Sequence, residues 1–231
     1  MIGIQCVCIP PLRIKEKMVT MGSNEIKERA AMLAEQEWDL PAIEAKFRHL
    51  VDQGIPKVKP APETLIREKE VFLDRVQLAA EQYCYLTRSC AKGSALSLLE
   101  AFGMGNMEII KAMAPFPGLA MSGGICGPVA GGLVALGLYF SDKDPANFQN
   151  VAHYIAGRQY IQRFKAIFGS LSCADIQQLL LGKAYDPFAG PDEWEGFNQS
   201  GARAKCPVAP GLGARLAATI IIESMEKEHK K

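Results

Sequence analysis

The chain has 231 residues, of which 48% are hydrophobic and 22% charged, and its formal net charge is +1. Those values suit one globular domain, alone or with a small appendage, and they exclude wholesale disorder. A near-neutral balance without a basic stripe argues against nucleic acid as a partner, because phosphate binding needs concentrated Lys and Arg.

The N-terminal segment, MIGIQCVCIPP, lacks a basic n-region, and Pro10 and Pro11 break its short apolar run. No secretory leader is expected, which points to the cytoplasm. Seven cysteines cannot all pair within one chain. In a reducing compartment they read as metal ligands or redox thiols rather than disulfides. Cys6 and Cys8 alternate with Ile4, Val7 and Ile9 like a short strand or arm. A Cys-x-Cys pair can bind metal, but two thiols in a tail is the plainer account.

Helical spacing begins at Asn24, a candidate cap, with Ile26, Ala30 and Leu33 in phase. Asp39 is placed to cap a second helix, with Pro41 in its first turn and Ile43, Phe47 and Leu50 on one side, ending at Gly54. Lys46 and Arg48 have few neighbours suited to reading bases, so a DNA-binding pair is disfavoured. A helical hairpin for docking or for a homodimer is the expectation, with His49 at the surface or in packing. IPKVKPAP, Ile55 to Pro62, holds three prolines and reads as a semi-rigid linker. It divides an N-terminal arm and hairpin (1–62) from a larger helical unit (63–231).

A long amphipathic helix is expected from Thr64 to about Arg88, with Cys84 beside its apolar face as a packed thiol. Ser89 caps the next helix, which starts at Cys90 and runs to Gly103. Asn106 caps a short one, ended by Pro115 and Pro117. The stretch from Ala112 to Ser141 carries no charge. Prolines and paired glycines divide it, and its clean apolar part, Val129 to Phe140, is short of the roughly 20 residues of a membrane span. No span is expected. A glycine turn at Ser122–Gly127 and a buried central helix from Pro128 to Tyr139 are. Gly127 and Gly131 stand four apart, as do Pro128 and Gly132, a spacing that lets another helix approach closely.

A further helix is predicted from Asn147 to Phe168, with Arg158, Arg163 and Lys165 on its solvated face. Ser172 caps LSCADIQQLLLG, with Asp175 three residues on. Lys183 to Lys205 reads as a long irregular loop whose Tyr185, Phe188, Trp194 and Phe197 could cover a site. Its acidic residues, Asp186, Asp192, Glu193 and Glu195, keep it solvated. Cys206-Pro207 opens the last helix. The predicted fold is all-α: a helical bundle around a buried Gly-rich central helix.

Four cysteines, Cys90, Cys126, Cys173 and Cys206, each fall at a predicted helix start. Free backbone N–H groups there favour negative charge, which lowers a thiol's pKa and makes it a better nucleophile or ligand. Four such starts turned inward could hold four thiolates, their amides bonding to cluster sulfurs. Gly124 and Gly127 would let backbone come close to whatever Cys126 binds. Against this, isolated cysteines without CxxC spacing also occur as ordinary core residues.

CGPVAGGLVALGL, Cys126 to Leu138, resembles the second-cysteine motif of the redox-active family named for its C…GCAxxG…C…C pattern. SCAKGSALSLLEAFG, FGSLSCADIQQLLLG and KCPVAPGLGARLAATII are similar to the family's other three cysteine segments, in the same order. The likeness runs from about Ser89 to Glu223. Pro128 stands where the family motif has alanine, and the region before Thr64 has no counterpart. The resemblance implies a helical domain with a redox role and an iron–sulfur cluster as a candidate cofactor. It extends to the non-haem domain of split-Soret cytochromes. The haem part does not carry over, since no CxxCH is present.

Three functions follow. The first is an electron-transfer protein with Cys90, Cys126, Cys173 and Cys206 as ligands of a [2Fe–2S] or [4Fe–4S] cluster, served by a redox partner protein. Zinc could use the same donors. The second is a cluster-free thiol–disulfide oxidoreductase with Cys126 as nucleophile, its glycine surroundings leaving access. The third is a non-catalytic helical assembly module in which the cysteines pack.

Overall fold

The computed structural model describes residues 22–147 and 149–230. Cys6 and Cys8 lie outside them. Among the described residues every regular element is a helix, as the all-α expectation required.

Local signals explain most helix ends. α1 (Ser23–Ala34) starts just before Asn24, with Gly22 as its cap. α2 (Leu40–Gln53) starts at the predicted cap, where the Asp39 carboxylate accepts the Ala42 N–H at 3.0 Å, and Gly54 closes it. The long helix expected from Thr64 is instead two, α3 (Pro62–Arg67) and α4 (Lys69–Thr87). They are separated by Glu68, which leaves helical geometry at ψ 28°. Ser89 caps α5 (Cys90–Ala101) and Asn106 caps α6 (Met107–Ala112). α7 (Gly118–Met121) is one distorted turn, followed by α8 (Gly127–Phe140). α9 (Ala152–Phe168) begins later than Asn147, and Ser172 caps α10 (Cys173–Leu181). The stretch read as an irregular loop holds two helices, α11 (Pro191–Gln199) and α12 (Ala202–Lys205). Pro191 in the first turn of α11, with Asp192 and Glu193 beside it, is a helix-start signal that the loop reading passed over. α13 (Val208–His229) completes the chain.

α4, α5, α8 and α13 form the body, with α9 against α8 and α13. α13 is apolar on all sides, and from Val208 to Ile222 only Arg215 is not buried. A helix of that kind must sit inside. The Gly-rich α8 is buried along its first two turns, but Leu138 near its end is 43% exposed. The middle of the bundle therefore belongs to α5 and α13, with α8 pressed onto them. The small-residue spacing does what it predicted: a Cβ on Gly131 would fall 2.8 Å from the Ala91 carbonyl oxygen of α5. The segment Ala202–His229 is long and apolar enough to cross a membrane by length and composition, but 83% of its apolar window is buried in the bundle.

The N-terminal helices take separate seats. α2 lies on α4, whereas α1 lies on α10, α12 and α13. Ile26, Ala30, Leu33, Leu50 and Ile55 join the same core as the body. The Arg29 guanidinium reaches Glu81 on α4 at 2.8 Å. The Pro-rich segment runs along the body, where Lys57 donates to the Gly105 carbonyl and the Val58 backbone lies against Gly103.

Candidate functional site

Three of the four predicted cysteines sit at helix starts, and Cys206 instead closes a helix, its N–H donating to the Ala202 carbonyl at 2.9 Å. Cys90 is the first residue of α5 and Cys173 the first of α10, each behind a capping serine. Cys126 is itself the cap of α8. Cys206 ends α12 and precedes Pro207, the cap of α13.

Backbone pairing joins two of them. The glycine turn before α8 and the segment before α10 meet in one antiparallel bridge, Ile125 with Ser172. Cys126 N–H donates to the Leu171 carbonyl at 2.8 Å, and Cys173 N–H donates to the Gly124 carbonyl at 2.6 Å. The Ser172 hydroxyl donates to the Gly123 carbonyl at 3.1 Å. Gly124 thus contributes a carbonyl to this clasp. Gly127 contributes space: a Cβ there would lie 2.4 Å from the Cys90 sulfur and 2.7 Å from the Ala91 nitrogen. Pro128, the departure from the family motif, fits without disturbance. It lies in the first turn of α8, where a missing N–H leaves no helical bond unmade. Its carbonyl accepts the buried Tyr160 hydroxyl at 2.7 Å.

The Cys126 thiol is in hydrogen-bonding contact with the sulfurs of both Cys173 and Cys90. Acting as donor, and buried, it is held well above the ordinary thiol range. Cys173 is the acceptor. That bond, with a second from the Gln177 amide at 3.4 Å, outweighs burial and brings it down to about 7. Burial, with the nearby sulfurs of Cys90 and Cys173, pushes Cys206 up.

Beside these sulfurs lies a cavity of about 220 Å³, several times the roughly 30 Å³ share of one water. Cys90, Cys173 and Cys206 line it. So does Cys84, from the last turn of α4. The sequence reading set Cys84 aside as a packed thiol. It is buried and raised in pKa by burial and by the sulfurs of Cys90 and Cys206, yet it shares the wall. The signal was available: a short connection between α4 and α5 must put Cys84 beside Cys90. Cys126 lies behind the wall and is 4% exposed, so its glycines do not open it to solvent. Gln177, Arg88 and Arg203 also line the cavity, and the sequence reading singled out none of the three for it.

The expected aromatic cover is half realised. Phe197 lines the cavity and packs on Tyr185, whose N–H donates to the Gln177 carbonyl oxygen at 2.9 Å. Phe188 and Trp194 are 75% and 52% exposed and do not cover it. On another side lies α7, where Gly118, Leu119, Ala120 and Met121 all have positive φ, from 48° to 63°. Left-handed geometry costs about 1–2 kcal/mol for each non-glycine residue. The turn is held by backbone bonds, Ala120 N–H to the Pro115 carbonyl and Gly124 N–H to the Gly118 carbonyl among them. A Cβ at Gly118 would lie 3.1 Å from the Cys173 sulfur, so the turn passes close to that thiol because residue 118 has no side chain.

The site is rich in thiols, and among the described residues neither histidine nor carboxylate lines the cavity. Among the described residues no group of three or more His, Cys, Asp or Glu is placed to hold a metal ion. A family model described as "Putative redox-active protein (C_GCAxxG_C_C)" matches residues 88–220, more than half of the chain, and spans Cys90, Cys126, Cys173 and Cys206. No curated protein and no solved structure matches the chain.

Proposed function

Since the chain belongs to the C_GCAxxG_C_C family of redox-active proteins, we propose that it is an electron-transfer protein in which Cys90, Cys126, Cys173 and Cys206 hold an iron–sulfur cluster. The observation that carries this is the convergence of four cysteines from separate elements, with Cys90, Cys173 and Cys206 lining one cavity and Cys126 behind its wall beside Cys90 and Cys173. An all-thiol donor set suits soft metals, iron–sulfur clusters and zinc included. Zinc needs its donors about 2.3 Å from one point. Three of the four sulfurs line a cavity of about 220 Å³, and this spread favours a multi-iron cluster, which those cysteines would hold, over a single ion.

The cluster would supply one-electron chemistry. The chain's part is positioning. The Gln177 amide donates to the Cys173 sulfur and so favours its thiolate. Phe197 and the α7 turn limit water at the cavity. A redox partner protein meeting the cavity mouth, and a cytoplasmic setting, belong to the same proposal.

Anaerobic purification followed by a visible spectrum with iron and sulfide analysis tests it. A coloured protein whose iron falls in each of the four single Cys→Ser variants is the expected result. A colourless, iron-free protein would overturn the reading.

One observation favours a second reading, thiol–disulfide exchange. Cys173 and Cys126 touch, and only Cys173 is lowered toward neutrality. In that chemistry Cys173 attacks a substrate disulfide, releasing one thiol. Cys126 then displaces the second, leaving a Cys126–Cys173 disulfide that an external dithiol must reduce. The roles are exchanged relative to the expectation of Cys126 as nucleophile. Activity lost only in C126S and C173S, without iron, would select this reading.

A further inference from the structure

We propose that the mouth of the cysteine cavity is a binding site for a small organic oxyanion, a carboxylate on a short apolar body, clamped by Arg88 and Arg203. The inference concerns what binds beside the thiols and does not depend on which centre they form.

Charge is the first argument. Arg88 and Arg203 both line the cavity, and among the described residues no aspartate or glutamate lines it with them. Among the described residues neither guanidinium has a carboxylate within ion-pair distance. Arg29, Arg67, Arg163 and Arg215 do, with Glu81, Glu68, Glu223 and Glu70. Two uncompensated guanidiniums at one opening concentrate anions there, and each offers a fork that matches a carboxylate.

Preorganisation is the second. The Arg203 guanidinium stacks over the Tyr85 ring, 4.6 Å from its centroid, which restricts a side chain that solvent would otherwise leave free. Arg88 ends α4 in the left-handed region, at φ 53° and ψ 31°. A residue without a special need for that geometry is uncommon there, and the conformation fixes where its side chain departs. The third argument is the rest of the wall. Asn198 and Gln177 add amides, while Pro117, Met121 and Phe197 present an apolar surface. A bare inorganic ion would leave that surface unused, and a short organic anion would cover it. Such a ligand would lie directly against Cys173, where either redox centre could act on it.

Titration calorimetry on the full chain as isolated, with succinate as the probe and succinamide as its neutral counterpart, tests the site. Succinate should bind and succinamide should not. Arg88→Gln and Arg203→Gln should each weaken succinate about tenfold, roughly the loss of one charge-assisted hydrogen bond. Raising the salt concentration should weaken it further. Both arginines are solvent-exposed, so the variants should fold, which circular dichroism checks. Equal binding of the two probes, or succinate binding unchanged in the double variant, would overturn the proposal. So would an absence of binding accompanied by a lowered reduction potential in the variants, since the arginines would then serve only to balance charge at the centre. Iron content is measured on the same samples, so failure here is distinguishable from failure of the cluster reading.

Discussion

At the scale of single residues, Cys173 and Cys126 show how two thiols of the same kind acquire different chemistry. Each begins a helix, yet Cys126 donates and is buried, while Cys173 accepts from Cys126 and from Gln177. The thiolate of the pair therefore resides on Cys173, whose pKa falls to about 7. In the reduced, metal-free chain, alkylation of Cys173 should rise through about pH 7 and level off above it, as read by mass spectrometry. Gln177→Ala removes one of the two donors and should move that midpoint upward. An unmoved midpoint would mean that Gln177 does not set the thiolate. The linkage has a definite sign. A thiol with a depressed folded pKa stabilises the fold fully above the ordinary thiol value of about 8.5. That contribution is lost as pH falls through about 7.

At the scale of elements, α7 comes close to Cys173, and the close crossing of α5 with α8 lies beside Cys90. The crossing depends on absent side chains, since a Cβ at Gly127 or Gly131 would collide with the backbone of α5. α7 depends on present ones held in the wrong region: Leu119, Ala120 and Met121 all have positive φ. Ala120→Gly should relieve strain there and raise stability by about 1 kcal/mol, the cost that left-handed geometry places on one L-residue. The unfolded state gains some entropy from glycine, which offsets part of it. Denaturant unfolding of the metal-free protein reads the difference. A loss of stability instead would show that α7 is not strained in solution. No comparable signal stood in the sequence, because PFPGLAMSGG contains enough glycine and proline to suggest a turn but nothing that specifies its hand.

At the scale of the whole molecule, the N-terminal helices are tied to the four-cysteine body by a buried charge. Glu81 has no solvent exposure, and burial raises its pKa while Arg29 and Gln77 hold its charged form. Arg29→Met strands that carboxylate and should cost about 3–5 kcal/mol. Adding Glu81→Gln should recover much of the loss. Thermal unfolding of the single and double variants checks this, and a single variant as stable as the parent would show that α1 docks without the pair. The sequence by itself determined the all-α class, the capping residues Asp39, Ser89, Asn106 and Ser172, and the seat of Cys90, Cys126 and Cys173 at helix starts. Those rest on short-range chemistry, namely periodicity, caps and proline and glycine stops, which a linear reading contains. Only the tertiary structure decided that Cys84 joins the cavity wall, that Cys126 retreats behind it, and that α13 rather than α8 is the innermost helix with α5. It also decided that Arg88 and Arg203 meet at one mouth. These depend on which helices lie side by side, and that is settled by packing between residues far apart in the chain.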